Sequence, residues 1–180
     1  RQAHKIDGEI DVRVHPAMIP TDHQLANVNG VYNAIYVTGD AVGDCMFFGE
    51  GAGAGPAASA VMGDAIEVAR HVANDVKPIV GCTCTDNLPL RGIGKLETKY
   101  YLRLLVKDEP GVLAAISEIF SQYDVSIRSM VQPTTHGDGT AELIFMTHTA
   151  NEAHFEEALK EVEALSCVAQ IGTMIRIEED

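Results

Sequence analysis

Tryptophan is absent and aromatic residues make up only 6 % of the chain, while 46 % of its 180 residues are apolar. That balance is the one expected of an ordinary soluble globular protein. Long hydrophobic runs are missing too. No stretch approaches the ~20 apolar residues a membrane span needs, so no membrane partner is expected. Basic residues are scarce, 13 Lys and Arg against 26 Asp and Glu, for a net charge of -13. Phosphate backbones are gripped by clustered Lys and Arg, so nucleic acid is excluded as a partner. The acidic surplus itself argues for solubility and little else.

Cysteine is sparse and badly spaced for metal. Of Cys45, Cys82, Cys84 and Cys167, only Cys82 and Cys84 are close, and no second Cys or His pair follows at a zinc-ribbon spacing. We read the four as reduced thiols of a cytoplasmic protein, with no metal site. The seven histidines (His4, His15, His23, His71, His136, His148 and His154) form no metal pair either, and each reads as structural or exposed. The chain opens on Arg1 rather than Met, and residues 1–11 are polar, without a signal-peptide core. We expect a fragment of a longer polypeptide.

What is plentiful is glycine in one place. Residues 49–61 read GEGAGAGPAASAV, with glycines at 49, 51, 53 and 55 and a proline at 56. A glycine turn feeding a helix lets the backbone lie against a ligand and presents unpaired N–H groups at a positive dipole end. The dinucleotide fingerprint G-x-G-x-x-G/A fails here. Counted from Gly51 it reaches Gly53 and then Pro56. Counted from Gly49 it reaches Gly51 and Ala54, but the acidic residue about 20 positions on, Asp75, follows no strand pattern. The run is a glycine turn of another kind.

Composition divides the chain. Up to Thr98 there are 12 acidic and 7 basic residues, and after it 14 and 6, with Pro- and Gly-rich residues 74–95 between them. In the first part, 9–14, 31–37 and 41–48 read as strands, and a helix follows from Pro56, with Val61, Ala65, Val68 and Val72 at helical spacing. Three strands and a helix are too little for a core of their own. The second part reads as a complete βαββαβ arrangement: strand 100–106, helix from Val112, strands 125–132 and 141–148, helix 152–165 and strand 168–177. On the first helix Val112, Leu113, Ile116, Ile119 and Phe120 share an apolar face, and on the second Phe155, Ala158, Leu159 and Val162.

Two resemblances follow from these residues. LLVKDEPGVLAAISEIFSQYDVSI, a strand running through D-x-P-G-V-L into a helix, resembles an ACT domain. VRVHPAMIP, HQLANVNGVYNAIYVTGD and GEGAGAGPAASAVMGDAIEVAR resemble the end of the catalytic region of homoserine dehydrogenase. The expected class is therefore α+β: a distal catalytic segment with a closing helix at 1–75, a linker at 76–98, and a ferredoxin-like ACT domain at 99–180.

The resemblance implies hydride transfer between aspartate semialdehyde and homoserine with NADP or NAD, in threonine and methionine biosynthesis. It makes Gly53 the cofactor contact, with Gly49, Gly51 and Gly55 serving backbone geometry. It also implies that the phosphate-binding fingerprint, the catalytic lysine and the acidic residues that hold the substrate amine lie before Arg1. No catalytic residue is expected in this chain, and the fragment alone is expected to be inactive. The ACT resemblance implies an amino-acid effector, threonine, at Asp108, Pro110, Gly111, Val112 and Leu113, and a homodimer or homotetramer. The alternative is a stand-alone ACT module for amino-acid binding or dimerisation, which would have no use for residues 14–70.

Overall fold

The computed structural model describes residues 2–77, 87–135 and 137–179. In chain order the elements are β1 (Gln2–Ile6), β2 (Glu9–Arg13), β3 (Ala17–Met18), β4 (Tyr32–Gly39), β5 (Gly43–Glu50), α1 (Ala54–Ala73), β6 (Glu97–Lys107), α2 (Val112–Gln122), β7 (Ile127–Thr135), β8 (Thr140–Thr147), β9 (Ala150–Asn151), α3 (Glu152–Ala164) and β10 (Val168–Ile177). They form two compact units, Arg1–Ile19 with Leu88–Asp180, and Pro20–Asn87. The first nineteen residues thus join the C-terminal unit in space. Long-range backbone bonds hold them there: Ile10 N to Pro89 O, Arg91 N to Ile10 O and Glu178 N to Met18 O, each 2.8 Å.

In the C-terminal unit the sheet order is β3-β10-β6-β8-β7. All neighbours are antiparallel except β3, which lies parallel to the edge of β10. Omitting β3, this is the ferredoxin-like order, with α2 and α3 as the two crossovers. Strand β6 alternates cleanly, burying Tyr100, Leu102, Leu104 and Val106 on one face. Period-2 alternation is the mark of a sheet packed on one side only. That face meets Val112, Ile116, Ile119 and Phe120 of α2 and Phe155, Ala158 and Val162 of α3. Tyr100 and Phe155 stack at 3.8 Å, and Phe120 meets Phe145 edge-on at 5.7 Å. Each fully buried large apolar side chain stabilises the fold by about 1.5–3 kcal/mol.

Several expectations shift. Leu113, expected on the apolar face of α2, is 39 % exposed, because it lies about 100° round the helix from the buried Val112, at the flank of the face formed by Val112, Ile116, Ile119 and Phe120. Strand β6 starts at Glu97 rather than at 100. Strand β1 was not expected at all. It pairs with β2 through the tight turn Asp7-Gly8, where both residues have positive φ (50° and 80°). Asp-Gly is a strong hairpin signal, and the polar character of residues 1–11 masked it.

The other unit is a β4–β5 hairpin and α1, and none of its described residues is buried. Register places Ile35, Val37, Cys45 and Phe47 on one face, and Tyr32, Tyr36, Met46 and Phe48 on the other. Both faces are apolar, and Ile35 and Phe47 are each 66 % exposed. A hairpin alone is marginal at best. This unit has no core of its own, as its short list of elements suggested. Cys82 and Cys84 lie outside the described residues. Among those described, no group of three His, Cys, Asp or Glu side chains is placed to hold a metal, and no helix is long and apolar enough to cross a membrane.

Candidate functional site

The glycine turn closes β5 and opens α1. Gly51 donates its N–H to Val31 O at 3.1 Å, and a Cβ there would fall 1.7 Å from Asn33 Nδ2, so a side chain at this position would require the Asn33 side chain to move. Gly53 is the N-cap of α1, with φ 128° and ψ 153°, a conformation L-residues rarely adopt. Gly49 and Gly55 have open space and no unusual φ. The helix starts at Ala54, two residues before Pro56. No side chain caps it and its first turn holds no acidic residue. A 20-residue helix with bare amides at its N-terminus attracts an anion or a polarised carbonyl.

The loop Asp108–Gly111 performs the corresponding turn in the C-terminal unit. Strand β6 ends at Lys107, Asp108 N bonds Gly139 O at 2.9 Å, and Glu109 N bonds Lys107 O at 3.0 Å. Gly111 then caps α2 in the left-handed region, φ 98°. Pro110 cannot donate a backbone bond, which helps stop the strand. A recess of about 70 Å³ opens beside this turn, lined by Asp108, Glu109, Val112, Leu113, Met130 and Gln132 among others. Asp108, Val112 and Leu113 therefore share the recess, while Pro110 and Gly111 shape its rim from outside the lining. Gln132 Nε2 reaches Asp108 Oδ1 at 3.4 Å. Sequence reasoning missed Met130 and Gln132, which arrive from β7 across the sheet.

The volume matters. Complete small-molecule pockets run to about 300 Å³ or more. This recess can hold only part of a ligand, such as its polar head. A larger hollow of about 480 Å³ lies between α2 and α3, but it is wide open. Glu118 and Glu161 among its lining groups repel a carboxylate.

A buried ionic cluster was invisible in the sequence. Glu152, fully buried at the start of α3, accepts from Tyr100 Oη and from Arg176 Nε, each at 2.8 Å, and Arg176 Nη2 bonds its other oxygen. Burial pushes the Glu152 carboxyl up, but the hydrogen bonds from Arg176 and Tyr100 together outweigh it and hold the group below its ordinary value. Burial, and then the bond to Glu152, drive the Tyr100 hydroxyl far up, so it stays neutral. The hydrogen bond to Glu152 raises Arg176. Asn151 fixes the helix start, its Oδ1 accepting from Ala153 N at 3.0 Å and His154 N at 3.4 Å.

Comparison with known proteins divides the chain differently from its spatial grouping, which places residues 1–19 with the C-terminal unit. Residues 1–66 match the homoserine dehydrogenase family model and residues 100–167 the ACT domain model. A homoserine dehydrogenase of Helicobacter pylori is 43 % identical over 94 % of this chain and 39 % of its own length. One from Synechocystis is 40 % identical over 93 % of this chain and 40 % of its own. The crystal structure of a homoserine dehydrogenase from Thiobacillus denitrificans superposes with a TM-score of 0.83 at 36 % identity, covering 98 % of this chain and 41 % of that one. The chain spans about two fifths of the length of the curated relatives it matches. The chain thus carries a homoserine dehydrogenase-like region at 1–66 and an ACT domain at 100–167, and it matches the C-terminal portion of homoserine dehydrogenases.

Proposed function

We propose that this chain is the distal part of an NAD(P)-dependent homoserine dehydrogenase, an enzyme that interconverts aspartate semialdehyde and homoserine. The observation that carries the reading is the bare, glycine-capped start of α1 inside the family-matched segment. The residues present fit a nicotinamide cofactor: Gly53 has no Cβ to obstruct it, and the first-turn amides of α1 suit its polar groups. When bound, that cofactor supplies or accepts the hydride. Gly53 would lie against it, and Gly51 serves the close backbone approach of the turn, whereas Gly49 and Gly55 have open space and ordinary φ. General acid and base groups must reach the reacting oxygen within hydrogen-bond distance. None of this chain's lysines stands in a sequence context resembling the catalytic one, so the remaining machinery belongs to the rest of the parent enzyme. The exposed apolar faces of β4–β5 are surfaces for that remainder to cover.

In the same reading the ACT unit binds an amino-acid effector at the Asp108–Leu113 turn, and threonine, the pathway's product, is the ligand. The first-turn amides of α2 take its carboxylate. The small recess supports a site completed by a second copy of the unit, in a homodimer or homotetramer, and we read the enzyme as cytoplasmic. An assay of the 180-residue chain with homoserine and NADP should show no cofactor reduction above background. Calorimetry with threonine, isoleucine, methionine and serine should give heat with threonine first. No heat with any of the four leaves dimerisation as the role of the ACT unit.

A further inference from the structure

Strand β3 is an unusual addition to the ferredoxin-like sheet. It is two residues long, lies parallel to β10 (Ala17 opposite Arg176, Met18 opposite Ile177), and belongs to the segment matched to the dehydrogenase rather than to the ACT domain. Its length is set by Pro16 on one side and Pro20 on the other, neither of which can donate to a ladder. Backbone pairing this short attaches weakly. The side chains just before it carry the rest of the attachment: Arg13 Nη1 holds Glu178 Oε1 at 3.2 Å, and Arg13 Nε lies 3.0 Å from Asp11 Oδ1, an ion pair in distance without hydrogen-bond geometry. His15 sits among them. Its Nε2 is buried with no hydrogen-bond partner, 3.8 Å from Glu178 Oε1.

We propose that residues 13–19 are a detachable clasp that fastens the dehydrogenase-type segment to the edge of the ACT sheet, and that protonation of His15 loosens it. The charged groups around the ring decide the sign. Arg13 comes from β2, Arg176 and Glu178 from β10 and its end, and Glu152 from α3, while Tyr100 and Glu156 act on Arg176 from β6 and α3. Glu152 is already committed to Arg176, Glu178 to Arg13, and Asp11 to Arg13. Burial first, then the Arg176 and Arg13 cations, hold His15 below its ordinary value, against the opposing pull of Glu178 and Glu152. The docked clasp therefore prefers neutral His15, and the released clasp binds more protons. Docking is complete above the ordinary histidine value of 6.5, weakens as pH falls through it, and levels off below the value of the docked state. Such a clasp makes attachment between the two segments depend on acidity (a property neither sheet has alone).

The Glu178 amide reports docking, because it donates to Met18 O at 2.8 Å. Hydrogen exchange of the whole 180-residue chain, corrected for intrinsic rates, should show Glu178 protection falling about threefold or more between pH 7.5 and 5.5. The central Leu104 amide should hold steady. His15→Gln, which cannot charge, should remove the pH dependence. A constant Glu178 protection, an equal fall at Leu104, or the same fall in H15Q overturns the clasp. Independently of any variant, NMR titration of the wild-type His15 ring should give a midpoint below 6.5, and a midpoint at or above that value overturns the proposal.

Discussion

Glu152→Ala is the most informative single change in this protein. The substitution leaves the Arg176 guanidinium, whose side chain is 14 % exposed, without its bidentate partner, and the buried Tyr100 hydroxyl without its acceptor. Breaking a buried ion pair on one side costs about 3–5 kcal/mol. Arg176 keeps a narrow path to water, so the loss should lie near the lower end, about 3 kcal/mol. Urea unfolding of the 180-residue chain at neutral pH, followed by far-ultraviolet circular dichroism, measures it. Removing both partners in Glu152→Leu with Arg176→Met should recover most of the loss, because a pair replaced by apolar groups leaves no orphaned charge. The pH profile follows from the depressed Glu152 carboxyl. Its contribution is fully present above the ordinary carboxylate value and is lost as pH falls through the lower folded-state value. A loss under about 1 kcal/mol for Glu152→Ala, or a double variant as unstable as the single one, would refute the assignment of Glu152 as the buried anchor of this unit.

Three further outcomes are expected. Gly111→Ala meets no atom within 4 Å, so backbone strain at φ 98° alone should cost about 1–2 kcal/mol in the same unfolding assay. Phe155→Ala removes a fully buried ring stacked on Tyr100 and should cost about 3–5 kcal/mol, enough to broaden or abolish the cooperative transition. The open hairpin faces should bind a hydrophobic dye such as ANS, and replacing Ile35 and Phe47 together by Thr should cut its fluorescence sharply while leaving the C-terminal unit's unfolding midpoint unchanged.

Local chemistry made the C-terminal unit legible. The apolar-rich run from Tyr100, the Pro-Gly turn at 110–111 and the helical spacing of Ile116, Ile119 and Phe120 each act within a few residues, and the elements they predict are present within about three residues of their expected ends. The glycine turn at 49–55 was legible as geometry only in part, since Gly49 and Gly55 have open space and ordinary φ. A side chain at Gly51 would displace that of Asn33, and one at Gly53 would be strained by its φ. What could not be read was whatever depends on partners far along the chain. Glu152 looks like an ordinary exposed first-turn acid until Tyr100 and Arg176, 52 and 24 residues away, close over it. Met130 and Gln132 enter the recess only because β7 returns beside β8.

The N-terminal residues show the same division most plainly. The sequence showed that residues 9–14 extend and that Pro16 interrupts, because sterics and missing donors act on each residue alone, while the equally local Asp7-Gly8 turn went unread. Only the tertiary structure decided where that strand went. Arg13 meets Glu178 across 165 positions, and Ala17–Met18 completes a sheet whose other strands begin at residue 97. Strand addition is satisfied by any free edge with the right hydrogen-bond register. Which edge is chosen depends on charges and packing that no local pattern encodes.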